Sequence, residues 1–192
     1  MEPCRLSAHD LACRRGDMLL FRGVTLDLAA GDTLRLTGPN GTGKSSLIRI
    51  MAGLMRPFAG TVTRSGTVGL LDERPALDEL APLGRALDFW AKVDRAATSA
   101  SDRLGIAELA DVPVRYLSTG QRKRAALARL IGQQAPIWLL DEPLNGLDSD
   151  ATALVEALVA EHCAAGGIAI VASHQNFNLG GAKALHIPEF AA

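Results

Sequence analysis

Net charge is almost missing from this chain: twenty Lys and Arg against twenty-one Asp and Glu leave −1 at neutral pH. Bulk electrostatics therefore advertise neither nucleic acid nor an anionic membrane, and no nucleic-acid partner is expected. Cysteine is scarce as well. Cys4, Cys13 and Cys163 are odd in number, show no C-x-x-C spacing, and leave the Glu161-His162-Cys163 run without further metal-ligand partners. Reduced thiols in a cytosolic protein are the expectation. Long apolar runs are missing too. The strongest, Ile137 to Leu140 and Ile168 to Ala172, fall far short of the ~20 residues a spanning helix needs. Residues 1–16 hold no apolar stretch fit for a signal sequence. Work at a membrane would thus require another chain to supply the spanning part. Internal repeats, low-complexity tracts and disordered linkers are also lacking, and 192 residues that are 48% hydrophobic suit one domain with an ample core.

What is present reads as an α/β chain, β-rich and punctuated by glycine up to about Leu71. From Pro75 to about Gln134 the composition shifts to Ala, Leu and Arg, with helical spacing at Leu83, Leu87 and Trp90 and again at Leu104, Ala107 and Leu109. Ile137–Leu140 and Ile168–Ala172 then flank a helical stretch, Ala151 to Cys163, the pattern of buried parallel strands. The expected organisation is a single domain over 1–192. Residues 1–74 and 135–192 would form a nucleotide-binding core, and 75–134 a helical subdomain.

The sharpest motif is Gly38-Pro39-Asn40-Gly41-Thr42-Gly43-Lys44-Ser45, a complete G-x-x-x-x-G-K-[ST] phosphate-binding loop. It sits between an expected strand, Thr33 to Thr37, and a helix from Lys44 to Leu54 that places Leu47, Ile50, Met51 and Leu54 on one face. Glycines let the backbone N–H groups curl around phosphate oxygens, and the helix N-terminus adds positive potential. Lys44 would bridge β- and γ-phosphates, and the Ser45 hydroxyl would ligate Mg²⁺. Farther along, Ile137 to Glu142 is a strand ending in two carboxylates, where open α/β sheets place chemistry. Asp141 suits Mg²⁺, while Glu142 suits the water that attacks the γ-phosphate. Leu117-Ser118-Thr119-Gly120-Gln121 precedes a run of helix formers, with Ser118 in N-cap position.

Together, the phosphate loop, the LSTGQ pentapeptide carried by the helical segment, the LLDEP strand end, Leu144 to Asp148 and the late His174 stand in the order of ABC-type ATP-binding cassettes, which this chain resembles over most of its length. The resemblance implies a P-loop NTPase cassette, and a head-to-tail homodimer that sandwiches ATP between the phosphate loop of one copy and the signature helix of the other. ATP would meet residues 38–45 and Ser46 of one chain and Ser118, Thr119, Gly120 and Gln121 of its partner, with Asp148 in the loop crossing the dimer. Glu142 and His174 would be catalytic, His174 contacting the γ-phosphate and helping to hold the attacking water. Ser45 and Asp141 would hold the metal.

The sequence also departs from that pattern. Thr119 replaces a glycine of the signature, and Asn145-Gly146 stands where other residues are commoner. Arg74 occupies the place of a metal-ligating glutamine, leaving Glu73 to take over or the contact absent. No aromatic falls near Cys13 to Arg15 to stack on adenine, so the Arg14 or Arg15 guanidinium plane is the expected substitute.

Within the family, the chain is most similar to the small ATPase of the haem exporter of cytochrome c maturation. That likeness implies a peripheral subunit on the cytoplasmic side of the bacterial inner membrane, partnered by separate integral membrane subunits. Its hydrolysis would release a haem-loaded chaperone. No haem-ligand pair is evident, and direct haem binding is not expected. Eighteen residues follow His174, so no C-terminal regulatory domain is expected. A soluble non-transport cassette ATPase of the iron–sulfur assembly type, or the ATPase of another exporter, stays open at this level.

Overall fold

The computed structural model describes residues 4–73, 75–95, 100–175 and 177–191. Alternation of apolar and polar residues builds the first layer. β1 (Arg5–Arg15) pairs antiparallel with β2 (Met18–Ala29) on one side and with β4 (Ala59–Ser65) on the other. In β2 the period of two is clean: Val24, Leu26 and Leu28 are buried while Thr25, Asp27 and Ala29 face out. One face packs inward and the other meets solvent.

The second sheet follows a different rule. β3 (Thr33–Thr37), β5 (Val68–Leu71), β6 (Ile137–Asp141), β7 (Ile168–Ala172) and β8 (Lys183–His186) lie parallel in the order β5-β6-β7-β3-β8. Every residue of β6 and β7 is buried, because both faces are covered. Ile137, Leu139, Ile168 and Ile170 cluster with α1 (Lys44–Ala52) and the antiparallel sheet. Trp138, Leu140, Ala169 and Val171 cluster instead with α2 (Leu83–Asp94), α3 (Thr119–Gly132) and α4 (Ser149–Ala164). Continuous apolar runs are what a strand covered on both sides requires.

Two expectations need correcting. The first helix stops at Ala52, because Gly53 adopts a left-handed cap that returns its N–H to the carbonyls of Arg49 and Ile50. Leu54 consequently leaves the apolar face and is 68% exposed. The spacing of Leu104, Ala107 and Leu109 does not make an α-helix either. Single 3₁₀ turns occupy Ala107–Leu109 and Val114–Tyr116, with Gly105 and Pro113 interrupting continuation. Leu104 is buried and Leu109 partly so, but Ala107 is exposed and Ile106 turns inward instead, so the spacing misread burial as well as shape. Cys4, Cys13 and Cys163 are buried free thiols.

Candidate functional site

Parallel strands align their C-terminal ends, and here the alignment gathers the motifs. Leu36 of β3 and Asp141 of β6 both register against Ala172 of β7. The phosphate loop, the Asp141-Glu142 pair and Ser173-His174 therefore leave the sheet along one edge. The loop itself is held by short bonds: the Thr42 hydroxyl donates to Pro39 O at 2.9 Å, and the Lys44 ammonium donates to Gly38 O at 2.7 Å and Pro39 O at 3.1 Å. Gly43 is the N-cap of α1 with φ 105°, and a Cβ there would stand 2.9 Å from the Phe21 ring. Only glycine satisfies both demands. No side chain caps this helix, so its first N–H groups point toward whatever anion the loop embraces. Ser45 is exposed beside them, whereas Ser46 is buried with its hydroxyl paired to the Cys13 thiol.

Asp141 and Glu142 have different surroundings. Burial pushes the Asp141 carboxyl above the usual carboxylate range, against the Ser45 hydroxyl that lowers it, while Glu142, Glu73 and Asp72 add repulsion. Among the described residues Asp141 Oδ1 is buried with no hydrogen-bond partner. A buried carboxylate oxygen beside a serine hydroxyl, with further acids facing it, is a donor set that suits a hard divalent cation. The cleft there measures about 340 Å³ and is lined by Arg15, Ser45, Ser46, Asp72, Glu73 and Asp141 among others. Glu142 is turned the other way. Its φ is +48°, its N–H donates to Ala172 O at 2.8 Å, and its Oε2 lies 2.9 Å from His174 Nδ1 and 3.4 Å from the His174 N–H. The His174 side chain is half exposed and that of Glu142 only 11%. One acid is thus set for a cation, and the next reaches the imidazole.

The second constellation forms at the start of α3. Ser118 caps it: its hydroxyl accepts from the Gln121 N–H at 3.2 Å, and the Gln121 side-chain oxygen accepts from the Ser118 N–H at 2.8 Å. This capping box commits the Gln121 side chain to its own helix, while Ser118 and Thr119 remain exposed. The two departures noted in the sequence turn out to be neighbours. Gly146 has φ 80°, and a Cβ on it would stand 2.9 Å from the Thr119 methyl. The extra side chain at 119 fits because 146 has none. Asp148, four residues past Leu144, is the N-cap of α4 and accepts from the Ala151 N–H at 2.8 Å.

Some features were not legible in the sequence. Lys123 reads as part of a solvated basic face, yet it is 9% exposed and donates to the Glu142 carbonyl at 3.1 Å. The one available signal was its place beside small residues in a helix whose outer face already had Arg122. Phe58 lies 60% exposed under the Arg14 guanidinium, 5.2 Å from carbon to ring centroid. That pairing takes one face of Arg14, and Arg15 lines the cation cleft instead. Arg74 lies outside the described residues, while its neighbour Glu73 faces the Ser45–Asp141 pair from the same cleft.

Comparison with known proteins agrees with this geometry. A family model described as ABC transporter matches residues 21–145. The cytochrome c biogenesis ATP-binding export protein CcmA of Novosphingobium aromaticivorans is 55% identical over 190 residues, covering 99% of each chain. The protein of the same name from Sphingopyxis alaskensis is also 55% identical, over 88% of this chain and 89% of its own. Among solved structures, a Pyrococcus furiosus protein described as the ATP-binding protein of an ABC transporter superposes with a TM-score of 0.82 over 98% of this chain and all of its own. At 21% identity it supports the fold alone.

Proposed function

This chain belongs to the ABC transporter family, and from that premise we propose that it is the ATP-binding and ATP-hydrolysing subunit of the haem-export complex of cytochrome c biogenesis. The observation that carries hydrolysis is the Glu142–His174 contact of 2.9 Å at strand ends that share an edge with the phosphate loop. The observation that carries the specific role is near-complete alignment with the cytochrome c biogenesis export proteins at 55% identity. It favours this reading over a soluble iron–sulfur assembly ATPase or an unrelated exporter.

In this reading the N–H groups of residues 41–46 and the Lys44 ammonium hold the β- and γ-phosphates. Ser45 and Asp141 hold Mg²⁺, whose chemistry there is neutralisation of phosphate charge. Glu142 takes a proton from the attacking water as the bond from its oxygen to the γ-phosphorus forms and the bond to the ADP oxygen breaks. His174 keeps the Glu142 carboxylate aimed and meets the γ-phosphate. A second copy completes the site through Ser118, Thr119 and Gly120 at the exposed start of α3, with Asp148 in the loop between the two sites. Residues 75–134 act as the helical subdomain. Among the described residues no helix is long and apolar enough to cross a membrane. In this reading the spanning subunits are separate chains, and this one sits peripherally on the cytoplasmic side of the inner membrane. Hydrolysis releases a haem-loaded chaperone from that complex.

Affinity capture of the chain from detergent-solubilised membranes tests the role. Recovery with small multi-span subunits and stimulation of ATPase activity by them is the expected result. Recovery from the soluble fraction with cluster-assembly scaffold proteins would overturn it.

A further inference from the structure

We infer that Lys123 is a positioning residue for hydrolysis: from the helix that begins at the Ser118 cap, its ammonium holds the main-chain carbonyl of Glu142 and thereby keeps the Glu142 carboxylate on His174. The inference rests on the role proposed above for Glu142.

Three observations carry it. The first is burial. Lys123 is 9% exposed near the start of α3, an expensive place for an ammonium, and burial pushes its pKa down while Glu73, Asp141, Asp72 and Glu142 hold it up. An apolar residue would pack there at less cost, since its neighbours Ala125, Ala126 and Leu127 are all buried. The second is the contact. Its Nζ donates to Glu142 O at 3.1 Å, across from another element of the fold. The third is the conformation at the other end. Glu142 precedes Pro143, and a residue before proline is ordinarily extended. Glu142 instead has φ +48°, a region that side-chain-bearing residues adopt only when the surroundings impose it.

The imposing bonds are on the page. The peptide before Glu142 is pinned by its N–H to Ala172 O at 2.8 Å, and the peptide after it by Lys123, with the Asn145 N–H reaching the same carbonyl only at 3.4 Å. Two pinned peptide planes fix the direction of the Cα–Cβ bond, and so of the carboxylate that meets His174 Nδ1 at 2.9 Å. If the bond to Lys123 is lost, the second plane can rotate toward the extended form that Pro143 favours. Because Ser118 and Thr119 stand at the same end of α3, the same lysine ties a chain's own base to the helix it offers to the partner's site.

The test uses the full chain with Mg-ATP. Lys123→Met keeps length and packing but removes the donor. Its kcat should fall about 100-fold, the order expected from misplacing a catalytic group by about 1 Å, with KM for ATP and the melting temperature little changed. Lys123→Arg restores a donor and should recover at least about tenfold of that loss. In a Glu142→Gln background, Lys123→Met should change the residual single-turnover rate by less than about twofold, since it acts through the group already removed. A Lys123→Met kcat within about threefold of wild type, or losses that multiply with Glu142→Gln, would overturn the inference. So would a loss of kcat that Lys123→Arg leaves unrepaired. Should Lys123→Met not fold, Lys123→Gln is read in its place by the same criteria, with a partial loss expected from its shorter donor. Normal turnover in Glu142→Gln alone would overturn the base assignment and this inference together, which separates that failure from the failure of Lys123.

Discussion

A single residue decides turnover in the proposed mechanism. Glu142→Gln should lower kcat by about 10²–10⁴-fold while ATP affinity, measured by equilibrium binding of a fluorescent analogue, stays within about threefold, because the phosphate clamp is untouched. Gel filtration in Mg-ATP should then show an ATP-bound dimer. Near-normal hydrolysis would remove Glu142 from its role. A second residue-scale prediction concerns Gly146. Its φ of 80° and the Thr119 methyl 2.9 Å from its would-be Cβ make Gly146→Ala doubly unfavourable. The loss should be about 1–2 kcal/mol for the left-handed backbone, plus a steric part that Thr119→Gly relieves. Denaturant unfolding of the two single variants and the double variant reads that coupling, and strict additivity would refute it.

At the scale of elements, caps and packing set the geometry. Removing the Ser118 hydroxyl by Ser118→Ala breaks half of the capping box on α3 and should cost about 1 kcal/mol in denaturant unfolding. If the same hydroxyl also meets the partner's γ-phosphate, ATPase activity falls further than that destabilisation explains. The α4–β6 junction predicts a pH dependence. His162 stacks on Trp138 with ring centroids 3.9 Å apart, its Nε2 donates to Pro136 O at 3.2 Å, and burial holds its pKa below the ordinary histidine value. A depressed folded-state pKa means that the unfolded chain binds the proton first. This contribution to stability is therefore intact above about pH 6.5, the unfolded value, and is lost as the pH falls from there through the folded pKa. Thermal melts of wild type should lose Tm over that window. His162→Phe, which keeps a ring against Trp138 without a titrating nitrogen, should melt lower at neutral pH yet show a flatter acid limb. An equally steep limb would exclude His162 as the cause.

Most elements could be read in advance, and where reading failed the reason is physical. Thr33–Thr37 and Ile168–Ala172 coincide with strands because short apolar runs between turn residues admit few other structures. The stretch from Leu104 to Leu109 misled because its turns bury Ile106 and leave Ala107 exposed, which a helical spacing of Leu104, Ala107 and Leu109 does not anticipate. Local motifs named the phosphate loop, both acids and the capped helix, while His174 was singled out by the family resemblance alone. They were silent about Lys123, since a lysine in a basic run looks solvated until another element covers it.

The molecule as a whole is proposed to be half of a working site. Its loop and Asp141–Glu142–His174 lie on one sheet edge, while Ser118 and Thr119 stand exposed at the start of α3. ATP hydrolysis per chain, at saturating Mg-ATP, should accordingly rise with chain concentration until dimer formation saturates. A specific activity independent of dilution over the accessible range, in protein that remains monomeric by light scattering, would refute the shared site.

What the sequence determined by itself was a set of local patterns: glycines, a lysine and a serine at fixed spacing, two acids after a buried strand and a capped helix, each with a meaning that depends on covalent neighbours. What only the tertiary structure decided was how these patterns meet. Parallel register brought three strand ends to one edge, Thr119 found the gap left by Gly146, and Lys123 became a buried partner of the Glu142 backbone. Contacts between residues nearly twenty or more positions apart are set by packing, and burial changes what a charged side chain can do there.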